Sequence, residues 1–336
     1  MLFPLTYIVL IRREMKSLIR RVSGVAIFDG PKAASLCCDR SGDMTQRQSR
    51  TNNLFGCTPR YASTSSSFTP IPREISLQSV KETLMPHYDN RTPVILEGYA
   101  QQWTALEKWK DWEYLLGRTM TNKEEWHCDV EMGSYNSGES LCIPFSSYLD
   151  YLMLYREQQE QRQAGGKADS EASPVLYLAQ NDLPHGLYDD IQLPSFLKSN
   201  TAIIADATNA TPSSDILGEG KLYQCMFWMG PPRSMSPLHY DPLDNLLTQV
   251  VGTKNVALLN QTTSREKLKV GSAHGQQENT SAVPMQSILS GEVAVPDLDF
   301  WTGTLKPGDA LYIPAKWWHF VESPDDFSIS VNVWWR

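Results

Sequence analysis

The feature that most constrains the fold of this 336-residue chain is a change of pattern at Val175. From there on, short apolar runs alternate with turns rich in Gly, Pro and polar residues. The runs are Val175–Ala179, Lys221–Met229, Leu246–Val251, Asn255–Leu259, Ala310–Ile313, Trp317–Val321 and Ser328–Trp334. Each has the length of a strand, and many short strands with Gly/Pro punctuation build a sandwich, barrel or jelly roll rather than a parallel sheet with crossover helices. The last run alternates: Ser328, Ser330, Asn332 and Trp334 share one face, and Ile329, Val331, Val333 and Trp335 the other. A small polar row opposite an apolar row fits a barrel wall with a polar lumen and a packed exterior. The fold class is therefore mainly β.

Before Val175 the periodicity is helical. Leu77, Val80 and Leu84 recur at helical spacing up to Pro86, which is expected to stop the helix. Pro93-Val94-Ile95-Leu96 is a short strand candidate ended by Gly98. Thr104-Ala105-Leu106-Glu107 has the pattern of a capping box, and Gly117 offers a stop for the helix after it. A third helix is expected over about 147–163, with Leu149, Leu152 and Tyr155 on one stripe. The segments 157–172, 205–220 and 271–284 read as polar insertions, and 63–72, with a serine run and alternating Pro, reads as a linker.

Charge divides the chain. Residues 1–73 carry 11 Lys/Arg against 4 Asp/Glu, a balance of +7, while the remaining 19 against 34 give −15. An acidic body argues against direct nucleic-acid binding through phosphates and suits a basic protein segment as partner. The expected organisation is thus a basic head, 1–73, and an acidic body, 74–336. The head is rich in Arg, Ser and Thr and poor in acid, as an organelle transit peptide is; a disordered tail is the alternative reading. Its apolar start, Met1 to Ile11, is too short to span a membrane. The six cysteines include no CxxC pair, so they read as free thiols rather than zinc ligands.

The stretch that carries chemistry is Ser236-Pro237-Leu238-His239-Tyr240-Asp241-Pro242. On a strand, residues two apart face the same way, so His239 and Asp241 can be aimed at one point. His319, in Trp317-Trp318-His319-Phe320-Val321, offers a third ligand. Two His and one carboxylate make the facial triad of non-haem Fe(II) oxygenases, which leaves coordination positions open for a chelating co-substrate and O₂. Taken alone, the same residues could be a hydrogen-bonded core pair and an aromatic-packed core histidine. His-x-Asp is also a cheap pattern: His127-Cys128-Asp129 repeats it in a polar region without apolar alternation, and reads as a decoy. Pro307-Gly308-Asp309 fits a turn with Gly at the φ > 0 position, leading into the strand before His319.

Together with Trp228-Met229-Gly230-Pro231, Asn245, Gln249 to Lys254, the block from Gly308 to His319 and the terminal Trp334-Trp335, this stretch resembles the JmjC branch of the cupin-type Fe(II)/2-oxoglutarate dioxygenases, closest to the small arginyl hydroxylase and lysine demethylase subfamily. The resemblance covers about 74–336 and implies a double-stranded β-helix, or jelly roll, with a helical N-terminal flank. It implies His239, Asp241 and His319 as ligands of Fe(II). It also implies Lys254 and Tyr177 at the distal carboxylate of 2-oxoglutarate, with Ser236, Asn245, Asn332 and Trp334 around that co-substrate. Trp228 matches a pocket wall, and Glu131 an acidic position near the substrate. A lysine among Val250, Val251, Val256 and Leu258 would be costly if buried unpaired, and an anionic co-substrate would supply the missing charge.

The activity that this resemblance implies is that of an oxygenase consuming 2-oxoglutarate and O₂ and releasing succinate and CO₂. Its expected reaction is hydroxylation of a protein side chain, with Arg or Lys favoured. Methyl-lysine demethylation of a histone tail is the runner-up; a tRNA-base hydroxylase and a non-catalytic JmjC-like binding protein are further alternatives. The resemblance implies nucleus or cytoplasm, the head a mitochondrial address. Oligomeric state is open.

Overall fold

In the computed structural model the alternating run at the C-terminus, extended to Ser328–Trp335, is the middle strand of a large sheet with both rows buried. The structure describes residues 66–75, 80–121, 124–133, 140–163, 174–198, 216–270, 278–283, 285–290, 292, 297–324 and 326–336. Most of the basic head, with Cys37, Cys38 and Cys57, the expected transit features and much of the three insertions, lies outside them.

The described strands are β1 (Ser67–Pro70), β2 (Arg73–Ile75), β3 (Val94–Glu97), β4 (His127–Met132), β5 (Ser140–Pro144), β6 (Leu176–Asp182), β7 (Leu222–Gly230), β8 (Met235–Tyr240), β9 (Asp244–Val251), β10 (Lys254–Leu259), β11 (Asp299–Leu305), β12 (Ala310–Ile313), β13 (Trp318–Glu322) and β14 (Ser328–Trp335). Nine form one sheet in the order β2-β3-β12-β9-β14-β7-β6-β4-β5, and five form the other, β1-β11-β10-β13-β8. The chain crosses between the sheets after β1 and again after β7, β8, β9, β11, β12 and β13, which is a jelly roll.

Among the described residues, the helices α1 (Val80–Asn90), α2 (Ala105–Lys108), α3 (Trp112–Thr119), α4 (Phe145–Gln163) and α5 (Met285–Leu289) flank the sheets. Trp109, just after α2, packs edge-on to Phe227 of β7, and Tyr148 of α4 donates its hydroxyl to the Met229 carbonyl. Between the sheets, Ile71, Ile95, Leu247, Val256, Leu258, Leu311, Ile313 and Val321 form a dry cluster. A second interior cluster is aromatic: Tyr177, Trp228 and Trp334 with Ala179, Met226 and Leu243. Burying one such large side chain is worth about 1.5–3 kcal/mol, so the first cluster, drawn from both sheets, holds them face to face.

Several local expectations are corrected. Pro86 lies inside α1 rather than ending it. Proline removes one N–H donor, yet the chain continues to Asn90, whose side chain caps the Pro86 carbonyl at 2.7 Å. Thr104 forms no capping box. Its hydroxyl turns instead to the carboxylate of Asp190, at the end of the 3₁₀ helix His185–Asp190, which also gathers Lys108, Trp109 Nε1 and Tyr114. The cap belongs to α3, where the Asp111 side chain accepts the Glu113 and Tyr114 amides. Gly117 sits within α3 and stops nothing.

The expected linker contains β1, which pairs in parallel with β11, so the small sheet begins before residue 74. The stretch around His127 does alternate: Cys128 and Val130 are buried between exposed His127 and Asp129. The insertion 271–284 is more than a loop. Its Asn279 carbonyl accepts the Tyr240 amide, and its Ser281 amide donates to the Leu238 carbonyl, lining the outer edge of β8. By contrast Gly308 stands at φ +95°, as its turn requires, and Gly252 at φ +71° makes the tight turn by which β9 crosses to β10 in the other sheet, where a Cβ would clash with the Phe327 carbonyl oxygen.

Candidate metal and co-substrate site

Strands β8 and β13 are hydrogen-bonded neighbours, and their register places His239 directly opposite His319. The two rings lie 4.2 Å apart between centroids. Asp241 follows one residue after β8 ends, and its Oδ2 is 3.6 Å from His319 Nε2. One ligand atom from each of the three residues falls within 4.8 Å of the other two. Among the described residues this is the one group of three or more His, Cys, Asp or Glu side chains so arranged. A register shift follows His319, a bulge of the kind that re-aims side chains beside active sites.

The backbone fixes how the two imidazoles present themselves. His239 Nδ1 lies 2.7 Å from the Pro237 carbonyl, and His319 Nδ1 lies 3.0 Å from the Trp317 carbonyl. A carbonyl only accepts, so both Nδ1 atoms carry a proton, and Nε2 is the nitrogen of each ring that is left to face a metal. Burial, reinforced by the neighbouring His239, pushes His319 below the ordinary imidazole pKa and keeps it neutral, while Asp241 opposes that shift.

Lys254 opens β10 immediately after the Gly252 turn and is buried. Its Nζ donates to Ser330 Oγ at 2.6 Å and to the Tyr177 hydroxyl at 3.3 Å, and it sits 5.8 Å from the Trp228 ring centroid. Among the described residues it has no carboxylate partner, and desolvation lowers its pKa from 10.5 to about 7. A buried ammonium held only by hydroxyls and rings is a site prepared for an anion.

These groups share one pocket of ≈ 380 Å³, its open mouth included. It is lined by His239, Asp241, His319, Lys254, Tyr177, Ser236, Asn245, Asn332, Trp228 and Trp334, every residue expected from the sequence for metal and co-substrate. Asn332 donates to Asn245 Oδ1 at 2.9 Å, but Asn332 Oδ1 and Trp334 Nε1 are buried without a partner among the described residues. Orphaned polar atoms in a polar pocket fit a bound group that supplies the missing bonds.

Three lining residues were not foreseen: Leu247, Ile313 and Val321. They belong to the dry cluster and give the pocket an apolar floor, a role that apolar strand residues do not advertise in sequence. Ser330 was missed as a contact of Lys254, although its place on the lumen-facing row pointed to it. Glu131 does not line the pocket. It stands half-buried on β4, across the sheet from Tyr177. His127 and Asp129 stay exposed; Cys142 stands opposite Asp129, but among the described residues these side chains do not close into a three-ligand group.

Two facing sheets carrying a His-Asp-His cluster at the end of β8 and β13 define a jelly roll with metal-ligand geometry at its open end. A model of the cupin-like domain family matches residues 81–336, and the chain belongs to that family. It is similar to Jumonji C domain-containing protein 5 of Drosophila melanogaster, 30% identical over 268 residues, which is 78% of this chain and 59% of the relative. Lysine-specific demethylase JMJ30 of Arabidopsis thaliana is 30% identical over 260 residues, 76% of this chain and 53% of the relative. Lysine-specific demethylase 8 of Danio rerio is 31% identical over 272 residues, 79% of this chain and 58% of the relative. The chain thus spans between half and three-fifths of the length of these relatives.

Proposed function

We propose that the chain is an Fe(II)- and 2-oxoglutarate-dependent oxygenase. The observation that carries this reading is a buried Lys254, without a carboxylate partner among the described residues, in the same pocket as the His239-Asp241-His319 cluster. Bound iron with 2-oxoglutarate and O₂ would supply the oxidising power to hydroxylate a C–H bond, with succinate and CO₂ as by-products. The chain's own part is to bind and orient. His239 Nε2, His319 Nε2 and the Asp241 carboxylate would hold the metal through one face and leave the other open. Lys254, Tyr177 and Ser330 would take the far carboxylate of the co-substrate. Asn332 and Trp334 carry unpaired polar atoms toward the same space. Leu247, Ile313 and Val321 exclude water from the pocket floor, which strengthens every charge interaction there.

The favoured substrate is a protein side chain, Arg or Lys, in a basic segment, in keeping with the −15 balance after residue 73. Glu131 is the acidic group nearest Tyr177 in the sheet and is our candidate for steering the cationic side chain. Methyl-lysine demethylation is a second reading, supported by the names of two of the relatives. It is the same hydroxylation, here on an N-methyl carbon, followed by loss of formaldehyde. The test is succinate release from 2-oxoglutarate with Fe(II), comparing wild type with His239→Ala; release that the substitution leaves unchanged defeats the assignment. Formaldehyde from a methylated peptide, against gain of one oxygen atom on an unmethylated one, separates the two substrate readings.

A further inference from the structure

Asp244 sits three residues beyond Asp241, at the start of β9, and its side chain is buried. It takes no part in lining the pocket. Its Oδ1 accepts from three elements at once: Arg91 Nη1 at 2.8 Å, the Tyr312 hydroxyl at 2.9 Å and the Ala315 amide at 3.0 Å. Its Oδ2 accepts again from Arg91 Nη1, at 2.9 Å. Arg91 lies just past α1, Tyr312 is on β12, and Ala315 is in the turn that leads to β13 and His319.

The two loops joined here are the ones that carry the ligands. The β8–β9 loop bears Asp241, and the β12–β13 turn sets the start of the strand that bears His319. They meet a second time through the backbone, where the Lys316 amide donates to the Asp241 carbonyl at 2.7 Å. Both flanks of this contact are conformationally unusual. Arg91 at φ 52° and Lys316 at φ 67° are non-glycine residues in the left-handed region, which a chain keeps only where its surroundings enforce it. Arg91 is further fixed by stacking its guanidinium 4.7 Å over the Tyr88 ring.

We propose that Asp244 is a positioning residue for the metal centre: by clamping the β12–β13 turn to the β8–β9 loop, it sets the Asp241 carboxylate against His319. The proposal rests on the His239-Asp241-His319 cluster being a metal site. Groups that hold first ligands in place typically change metal affinity by about 10–100-fold when altered. A residue with a purely structural part would lower the unfolding temperature and leave the affinity of the folded protein alone.

The test is titration of the metal-free full chain with Co(II), read from its visible absorption, for wild type, Asp244→Asn, Tyr312→Phe and His239→Ala. Asp244→Asn keeps an acceptor for the Ala315 amide and loses the charge pairing with Arg91. It is expected to weaken Co(II) binding about 10-fold and to change the intensity of the absorption band. Tyr312→Phe deletes one of the three donors without leaving a buried charge, and provides a folded variant should Asp244→Asn not fold. It is expected to weaken binding by about two- to fivefold, less than Asp244→Asn because the Arg91 and Ala315 contacts remain. Wild-type affinity and an unchanged band in Asp244→Asn, or in Tyr312→Phe if that is the variant that folds, would overturn the clamp. Wild-type affinity in His239→Ala would overturn the metal reading itself, and the clamp with it.

Discussion

The chain contains His-x-Asp twice, at His239-Tyr240-Asp241 and at His127-Cys128-Asp129, and both begin on β-strands. The strand supplies the same thing in each case: an imidazole and a carboxylate on one side. In each, the His Nδ1 even lies against the carbonyl two residues earlier. What differs is the neighbouring strand. Opposite His239 stands His319, buried and neutral; opposite His127 stands Pro144, at the end of the outermost strand of the large sheet. His239 is buried and His127 exposed. The motif therefore supplies only two of the three groups of the candidate metal cluster, and the cross-strand partner with its desolvated setting makes the rest.

The largest effect expected from this contrast is at the ligands. His239→Ala should abolish metal-dependent succinate formation, a loss of at least about 1000-fold, since removing one of three ligands leaves too few to hold a catalytic metal. His127→Ala should stay within about twofold of wild type in the same assay. A fall in His127→Ala to match would break the comparison.

Next in size is Lys254→Met. It should raise the 2-oxoglutarate concentration needed for half-maximal turnover by about 100-fold, the range of a lost buried charge-assisted bond. The same substitution should raise stability at pH 7, by about 1–4 kcal/mol, because it removes a buried ammonium that no carboxylate offsets. The pH dependence has a definite sign. The folded pKa of Lys254, about 7, lies below its ordinary 10.5. Below pH 7 both the folded and the unfolded chain carry the proton, and the cost of burial is at its full value. Between about 7 and 10.5 the unfolded chain binds more protons, so the contribution of Lys254 to stability rises with pH. The advantage of Lys254→Met should therefore shrink across that window in chemical denaturation; an advantage that grows would contradict it.

The smallest effect sharpens the comparison from the other side. Pro144→His would place an imidazole opposite His127, copying the register of His239 and His319. It should confer weak Co(II) binding on the β4–β5 hairpin and no 2-oxoglutarate turnover, because that surface is solvated and lacks a counterpart to Lys254. Turnover surviving in Pro144→His combined with His239→Ala would show that ligand register alone suffices.

Much of the site was legible because strand periodicity is strict. The lumen-facing row Ser328, Ser330, Asn332 and Trp334, the i, i+2 pair at His239 and the Gly308 turn all follow from a two-residue repeat and glycine's access to positive φ. The features that escaped were set by partners distant in sequence. Thr104 looked like a cap because its local pattern is one, but Asp190, 86 residues away, offers a buried carboxylate that competes for the hydroxyl. Cys128 and Val130 are too few apolar residues to reveal a strand without knowing that β5 and β6 flank it. Arg91 and Asp244 are 153 residues apart, and no local pattern joins them.

The central claim is that the His239-Asp241-His319 cluster and Lys254 form one site. Its most direct measurement is an anaerobic titration of the Fe(II)-loaded full chain with 2-oxoglutarate, followed by the visible absorption that the chelate gives to iron. The band should develop in wild type and in His127→Ala, and be absent at the same concentrations in His239→Ala and Lys254→Met. An undiminished band in either of the last two variants would contradict the claim.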